Sequence, residues 1–226
     1  MQFSRRGLVG AGLAVAGAGL VSGCGGSTAT GAGTQTISPG GKLPPVAGDF
    51  SLGNADAKVQ MVEFASPTCP ACAAFHGQVL PALKTKYVDT GLVHYILREF
   101  AIHGAQDVAL MQFARCGNAP AEVYFQRFDV LYRTLPQFAE AAQAGRGAEH
   151  MRQMASVAGI PQGDLEACFQ DPAGPARAQA VNAEASRLGV NSTPTLFFNG
   201  IKVDPRTGPG YTVEALSARI DQILAG

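Results

Sequence analysis

The sequence predicts an α/β fold interrupted by an all-helical insertion, and three observations carry that reading. Lys58-Val59-Gln60-Met61-Val62-Glu63-Phe64 and the stretch from Leu92 to Phe100 are β-prone apolar runs with a helical pattern between them, so strand, helix and strand follow one another. From about His103 to Leu188 strand signals vanish and helical patterns repeat. Strand signals then return in Thr195-Leu196-Phe197-Phe198 and Ile201-Lys202-Val203, which flank Asn199-Gly200, a strong two-residue hairpin turn.

The first helix is expected over Cys69 to Tyr87. Pro70 falls in its first turn, where a missing N–H costs nothing, and Pro81 should kink it. In the helical block the candidates are Gln106 to Cys116, Ala121 to Leu135, Ala148 to Ala158, Gln162 to Phe169 and Pro175 to Leu188. The second places Tyr124, Phe128, Leu131 and Leu135 on one face, as helical periodicity requires. Phe113 and Phe128 read as core. A last amphipathic helix runs from Tyr211 to Leu224.

The chain has 226 residues, 46% of them hydrophobic, so one domain with an insertion has enough apolar material for a core. Lys and Arg together number 17 and so do Asp and Glu, and this balance argues against a nucleic-acid binder working through a basic face. Ser4-Arg5-Arg6 precedes an apolar, glycine-rich run from Leu8 to Val21, which reads as an export signal over residues 1–23. The run is short for a membrane span of about 20 residues. Its paired arginines resemble a twin-arginine signal; a Sec signal is the alternative. Leu20-Val21-Ser22-Gly23-Cys24 resembles a bacterial lipoprotein cleavage box, which would make Cys24 a lipid anchor; otherwise it is a plain signal peptide. Residues 24–47 then form a Gly/Ser/Thr/Pro tether, flexible at first and stiffer at Pro44-Pro45.

Chemistry concentrates at Cys69-Pro70-Ala71-Cys72, where strand gives way to helix. Residues three apart on a helix bring their Cβ atoms to about 5–6 Å, near disulfide distance. A helix N-terminus presents unpaired N–H groups and partial positive charge, both of which favour thiolate at Cys69. Cys72, a turn in, should be buried, with Cys69 exposed. A structural disulfide or half of a metal site are the bland readings; no second CxxC exists, and the four histidines lack ligand spacing to the pair.

Glu63, this Cys-Pro-Ala-Cys stretch and Thr193-Pro194-Thr195 together resemble the thioredoxin superfamily and, within it, the DsbA-type thiol oxidoreductases, including those of α-proteobacteria. The resemblance covers about Asp49 to Ala225. It implies a thioredoxin fold over 48–102 and 190–226 with a helical domain inserted at 103–189. It implies a cis Pro194 against the cysteines, with the Thr193 backbone free to pair with an extended substrate; an ordinary trans loop proline is the alternative. It also implies that Glu63, six positions before Cys69, serves as a proton relay for Cys72; the alternative is a solvated strand-end glutamate. Cys116 and Cys168 lie on apolar faces of the helical block. In an exported protein of this kind they are expected to form a disulfide, with two buried free thiols as the alternative. His76, one turn beyond Cys72, reads as a helix-surface histidine.

The function so implied is a lipid-anchored thiol:disulfide oxidoreductase of the periplasm or cell envelope, acting as an oxidase without cofactor or metal. Its partners would be exported proteins with cysteines and a membrane redox partner of the DsbB type, with the protein itself a monomer. A reductase or isomerase kept reduced by a membrane donor is the rival, and a CxxC metallochaperone a more distant one. Ala71 stands where strong oxidants of the family carry histidine, and Thr193 is common in less oxidising relatives. The Cys69/Cys72 couple should therefore be less oxidising than the roughly −120 mV of the strong oxidants; equilibration of the soluble domain with glutathione buffers reads this directly.

Overall fold

The computed structural model describes residues 41–206 and 210–226. The export signal, Cys24 and the tether up to residue 40 lie outside the described residues. β2 (Val59–Ala65) is the middle strand, and all seven of its residues are buried. It runs parallel to β3 (Val93–Glu99) and antiparallel to β4 (Thr195–Phe198). With β1 (Phe50–Leu52) beyond β3 and β5 (Ile201–Val203) beyond β4, the described strands form one five-stranded sheet ordered β1-β3-β2-β4-β5. Burial on both faces is what a mostly apolar run such as β2 is suited to.

Alternation along β2 divides the molecule into two cores. Val59, Met61 and Ala65 join Tyr95, Leu97, Leu196 and Phe198 in one apolar cluster. α1 (Pro70–Gln78) contributes Cys72 and Phe75 to it, α4 (Ala121–Arg133) contributes Phe128, and α9 (Val213–Ala225) contributes Leu216 and Ile220. Val62 and Phe64 point the other way, into a cluster with Ile96, Phe197, Leu43, and Val181 and Ala185 of α8 (Ala173–Arg187). Glu63 shares the register positions of Met61 and Ala65, so its carboxyl lies on the α1 side.

α1 stops at Gln78, and α2 (Leu80–Leu83) restarts with Pro81 in its first turn before the chain widens into a π turn at Lys84–Val88. The interruption expected at Pro81 thus falls two residues earlier, because proline has no N–H to continue the ladder yet fits a first turn. Between β3 and β4 come α3 (Ala105–Arg115), α4, α5 (Leu135–Gln143), α6 (Gly147–Val157), α7 (Gln162–Phe169) and α8. The helix read as Ala121 to Leu135 ends at Arg133, and Leu135-Pro136 opens α5, an element the sequence reading lacked; the proline again sits in a first turn. Cys116, capping α3, is bonded to Cys168 of α7 with S–S 2.01 Å.

Two boundaries differ from expectation. The end of the segment read as tether is packed: Leu43 is 1% exposed, its N–H donates to Gln60 Oε1 at 2.8 Å, and its carbonyl accepts from Gln60 Nε2 at 3.1 Å. A leucine amid polar and glycine residues finds a slot on the second core and closes it. α8, inside the span 103–189 assigned to the insertion, packs on the sheet through Val181 and Ala185. Arg98 of β3 ties both pieces down. Fully buried, it pairs with Asp49 at 2.7 Å and Glu184 of α8 at 2.8 Å, and donates to the Pro44 carbonyl at 3.0 Å. Replacing Arg98 by Met would strand two largely buried carboxylates and should lower the unfolding free energy by about 3–5 kcal/mol, read as a shift of the guanidinium unfolding curve at pH 7.

Candidate redox site

Cys69 is the N-cap of α1, with extended backbone (φ −88°, ψ 116°), and its sulfur occupies the place of a capping oxygen. The Cys72 N–H donates to it at 3.4 Å, and Cys69 Sγ lies 3.3 Å from the Thr193 carbonyl, which accepts its hydrogen in the thiol form. Thr193–Pro194 is a cis peptide. The fold thus brings together residues 124 positions apart. Both cysteines are free thiols in this structure.

Their environments drive the two sulfurs apart. A hydrogen bond from the Cys72 side chain, opposed by burial and helped by the Thr193 side chain and by backbone N–H groups at Cys72 and Ala71, lowers Cys69 to about 5. Burial pushes Cys72 well above the ordinary thiol range, with the nearby Cys69 and Glu63 adding to it. Cys69 is only 7% exposed and Cys72 is 0% exposed. The expectation of an exposed Cys69 is corrected to that extent: the Thr193 carbonyl side of the cis-proline loop lies against it. Beside the pair opens a cavity of about 390 Å³ lined by Ala71, Phe75, Val79, Thr193, Pro194 and Tyr211.

Glu63 is completely buried. The Tyr95 hydroxyl donates to its Oε2 at 2.6 Å, and His76 Nε2 lies 3.1 Å from the same oxygen. Its other oxygen, Oε1, has no hydrogen-bond partner among the described residues. On its far side His76 Nδ1 is 3.9 Å from Asp129 of α4, a residue whose side chain is 57% exposed.

A thioredoxin family model matches residues 46–222. The chain belongs to the thioredoxin family. A relative from Rickettsia felis named as a protein-disulfide oxidoreductase is 32% identical over 178 residues, 78% of this chain and 60% of that protein. The chain thus spans about three fifths of the length of the Rickettsia relatives it matches. Among solved structures, Wolbachia pipientis alpha-DsbA1 superposes with a TM-score of 0.70 at 24% identity, covering 80% of this chain and 93% of that one. Bacillus subtilis BdbD superposes with a TM-score of 0.67 at 16% identity, covering 82% and 98%. These likenesses show the fold, a thioredoxin fold carrying a helical insertion.

Within this thioredoxin-family fold, Cys69, Cys72, Thr193 and Pro194 converge at one end of α1, with Glu63 beneath it, while Cys116 and Cys168 stay apart in the insertion. The sequence reading misplaced His76, which is 6% exposed. Four residues beyond Cys72, it lies on the same helix face, and that face is covered by α4, whose Tyr132 ring sits 4.6 Å from the imidazole. Tyr95 was missed as well, because only the register of β3 against β2 (Met61 opposite Tyr95) puts its hydroxyl near Glu63.

Burial opposes charge on His76, but Glu63 and Asp129 outweigh it and raise the imidazole from 6.5 to about 9. Because the folded value lies above the unfolded one, the stabilisation is fully present below pH 6.5 and is lost as pH rises through about 9. The stability gap between the wild type and His76→Gln should therefore shrink by about 3 kcal/mol at most between pH 6 and pH 10, measured by urea unfolding at each pH.

Proposed function

We propose that this chain is a thiol:disulfide oxidoreductase that exchanges a Cys69–Cys72 disulfide with cysteines of exported proteins, as an oxidase of moderate potential. The observation that carries this is Cys69 Sγ at the N-cap of α1, taking the Cys72 N–H at 3.4 Å beside the cis Thr193–Pro194 peptide, with Cys72 one turn in and fully buried. The names of the Rickettsia relatives support it.

In the oxidised protein a substrate thiolate attacks Cys69 Sγ. The Cys69–Cys72 bond breaks, and Cys72 leaves as a thiolate that takes up a proton, as its raised affinity demands. A mixed disulfide now joins Cys69 to the substrate. The substrate's second thiolate attacks its own sulfur in that bond, and Cys69 departs as a stable thiolate. Low basicity makes it a good leaving group. Two electrons have passed from the substrate dithiol to the enzyme dithiol. Thr193, next to the cis-proline and facing the cavity, is placed to pair with the substrate backbone, and Glu63 is the proton donor and acceptor for Cys72. Reoxidation falls to a membrane partner of the DsbB type, and Leu20-Val21-Ser22-Gly23-Cys24 supports anchoring of the exported chain at the envelope.

Cys69→Ala should abolish oxidation of a two-cysteine peptide, whereas in the converse direction Cys72→Ala should accumulate a Cys69-linked mixed disulfide that dithiothreitol releases, both read by mass spectrometry. Unchanged oxidation by Cys69→Ala would refute the mechanism. Alkylation trapping in cells separates the rival: a mostly disulfide Cys69/Cys72 supports an oxidase, and a mostly dithiol one supports a reductase or isomerase.

A further inference from the structure

The three residues that deliver the chain to Cys69 are Ser66, Pro67 and Thr68, and the hydroxyls of Ser66 and Thr68 reach Asp107 of the insertion. Ser66 Oγ donates to Asp107 Oδ1 at 2.9 Å, and Thr68 Oγ1 donates to the same oxygen at 2.6 Å. Asp107 Oδ2 accepts the His103 backbone N–H at 2.8 Å. Asp107 lies in the first turn of α3 and is 0% exposed, as is Ser66. Ser66 Oγ also accepts the Thr68 N–H at 3.2 Å. The Ser66 carbonyl accepts the Cys69 N–H at 3.1 Å and the hydroxyl of Tyr132, from α4, at 3.3 Å.

Thr68 Oγ1 also lies 3.1 Å from Ser66 Oγ and 2.6 Å from His103 Nδ1, so the three side chains share one network around the carboxylate. Asp107 meets donors at both oxygens. A carboxylate accepts at both; an asparagine keeps one acceptor, so either the His103 N–H loses its partner or the two hydroxyls must turn to accept from an NH₂ group.

We infer that Asp107 is a positioning residue for the exchange reaction: from the insertion it clamps Ser66 and Thr68 and so fixes the turn that holds Cys69 at the N-cap of α1. The clamp touches neither sulfur. It acts on the contact of Cys69 Sγ with the Cys72 N–H, which is short-range and depends on where the turn places the sulfur. His103, half exposed, faces Asp107 at 3.9 Å on the solvent side. The insertion is thereby part of what sets the reactivity of Cys69. The inference rests on Cys69 being the nucleophile of the proposed function.

The test is the pH titration of thiolate absorbance at 240 nm in the reduced protein, run on wild type, Asp107→Asn, Thr68→Val and Thr68→Ser. The Cys69 midpoint should rise by about one pH unit in Asp107→Asn, which leaves about a fivefold smaller thiolate fraction at pH 5, and by a smaller amount in Thr68→Val. Thr68→Ser, which restores the hydroxyl, should titrate like the wild type. A merely structural clamp would lower the melting temperature and leave the midpoint in place, and a folded Asp107→Asn with the wild-type midpoint overturns the inference. Should Asp107→Asn fail to fold, the Thr68→Val and Thr68→Ser pair decides it in the same way. A wild type that titrates as described but performs no exchange would refute the proposed function while leaving the clamp standing.

Discussion

A sulfur atom caps a helix, and the site is arranged around that substitution. Helix N-termini leave N–H groups without partners, and an oxygen from Ser, Thr, Asp or Asn ordinarily satisfies one of them. Here Cys69 Sγ takes the Cys72 N–H at 3.4 Å. To do so the sulfur must fold back over the first turn, which brings it toward the second cysteine and shields it from solvent. The Thr193 carbonyl closes on it from the β4 side, and the turn from Ser66 to Thr68 brings the chain in from β2. A cap normally stabilises a helix; this one lets the helix stabilise an anion.

The difference between the two cysteines follows from their position along one turn. Cys69 stands at the end, where backbone donors are available, and Cys72 stands inside, where its neighbours are apolar side chains, a buried carboxylate and the other sulfur. No residue needs to touch Cys72 to make it a reluctant acid; the lost solvation is sufficient. Direction in the proposed exchange is then a consequence of packing. The sulfur that releases substrate is the one that bears charge easily, and the sulfur that must hold a proton is the one kept from water.

Much of this was legible in the sequence. Strands and helices announced themselves by apolar period, Asn199-Gly200 marked the hairpin, and the spacing of Cys69 and Cys72 marked the chemistry. What escaped reading depends on register and on contact between distant segments. Leu135-Pro136 looked like the end of one helix because a first-turn proline gives the same local signal as a stop. Leu43 looked like linker because its partners are contributed by β2, β3, β4 and α8. His76 and Tyr95 looked ordinary because only the packing of α4 against α1 and the alignment of β3 with β2 converts them into a buried polar group around Glu63. Ser66, Thr68 and Asp107 carry no recognisable motif. Their relation exists because the first turn of α3 comes to rest behind the loop leading to Cys69.

The disulfide between Cys116 and Cys168 closes α3 onto α7 across 52 positions. α3 also carries Asp107 near its other end. One helix is therefore held covalently at its C-terminal end and hydrogen-bonded at its N-terminal end to the turn before Cys69. Reduction of the Cys116–Cys168 bond would free one end of the helix whose other end meets that turn.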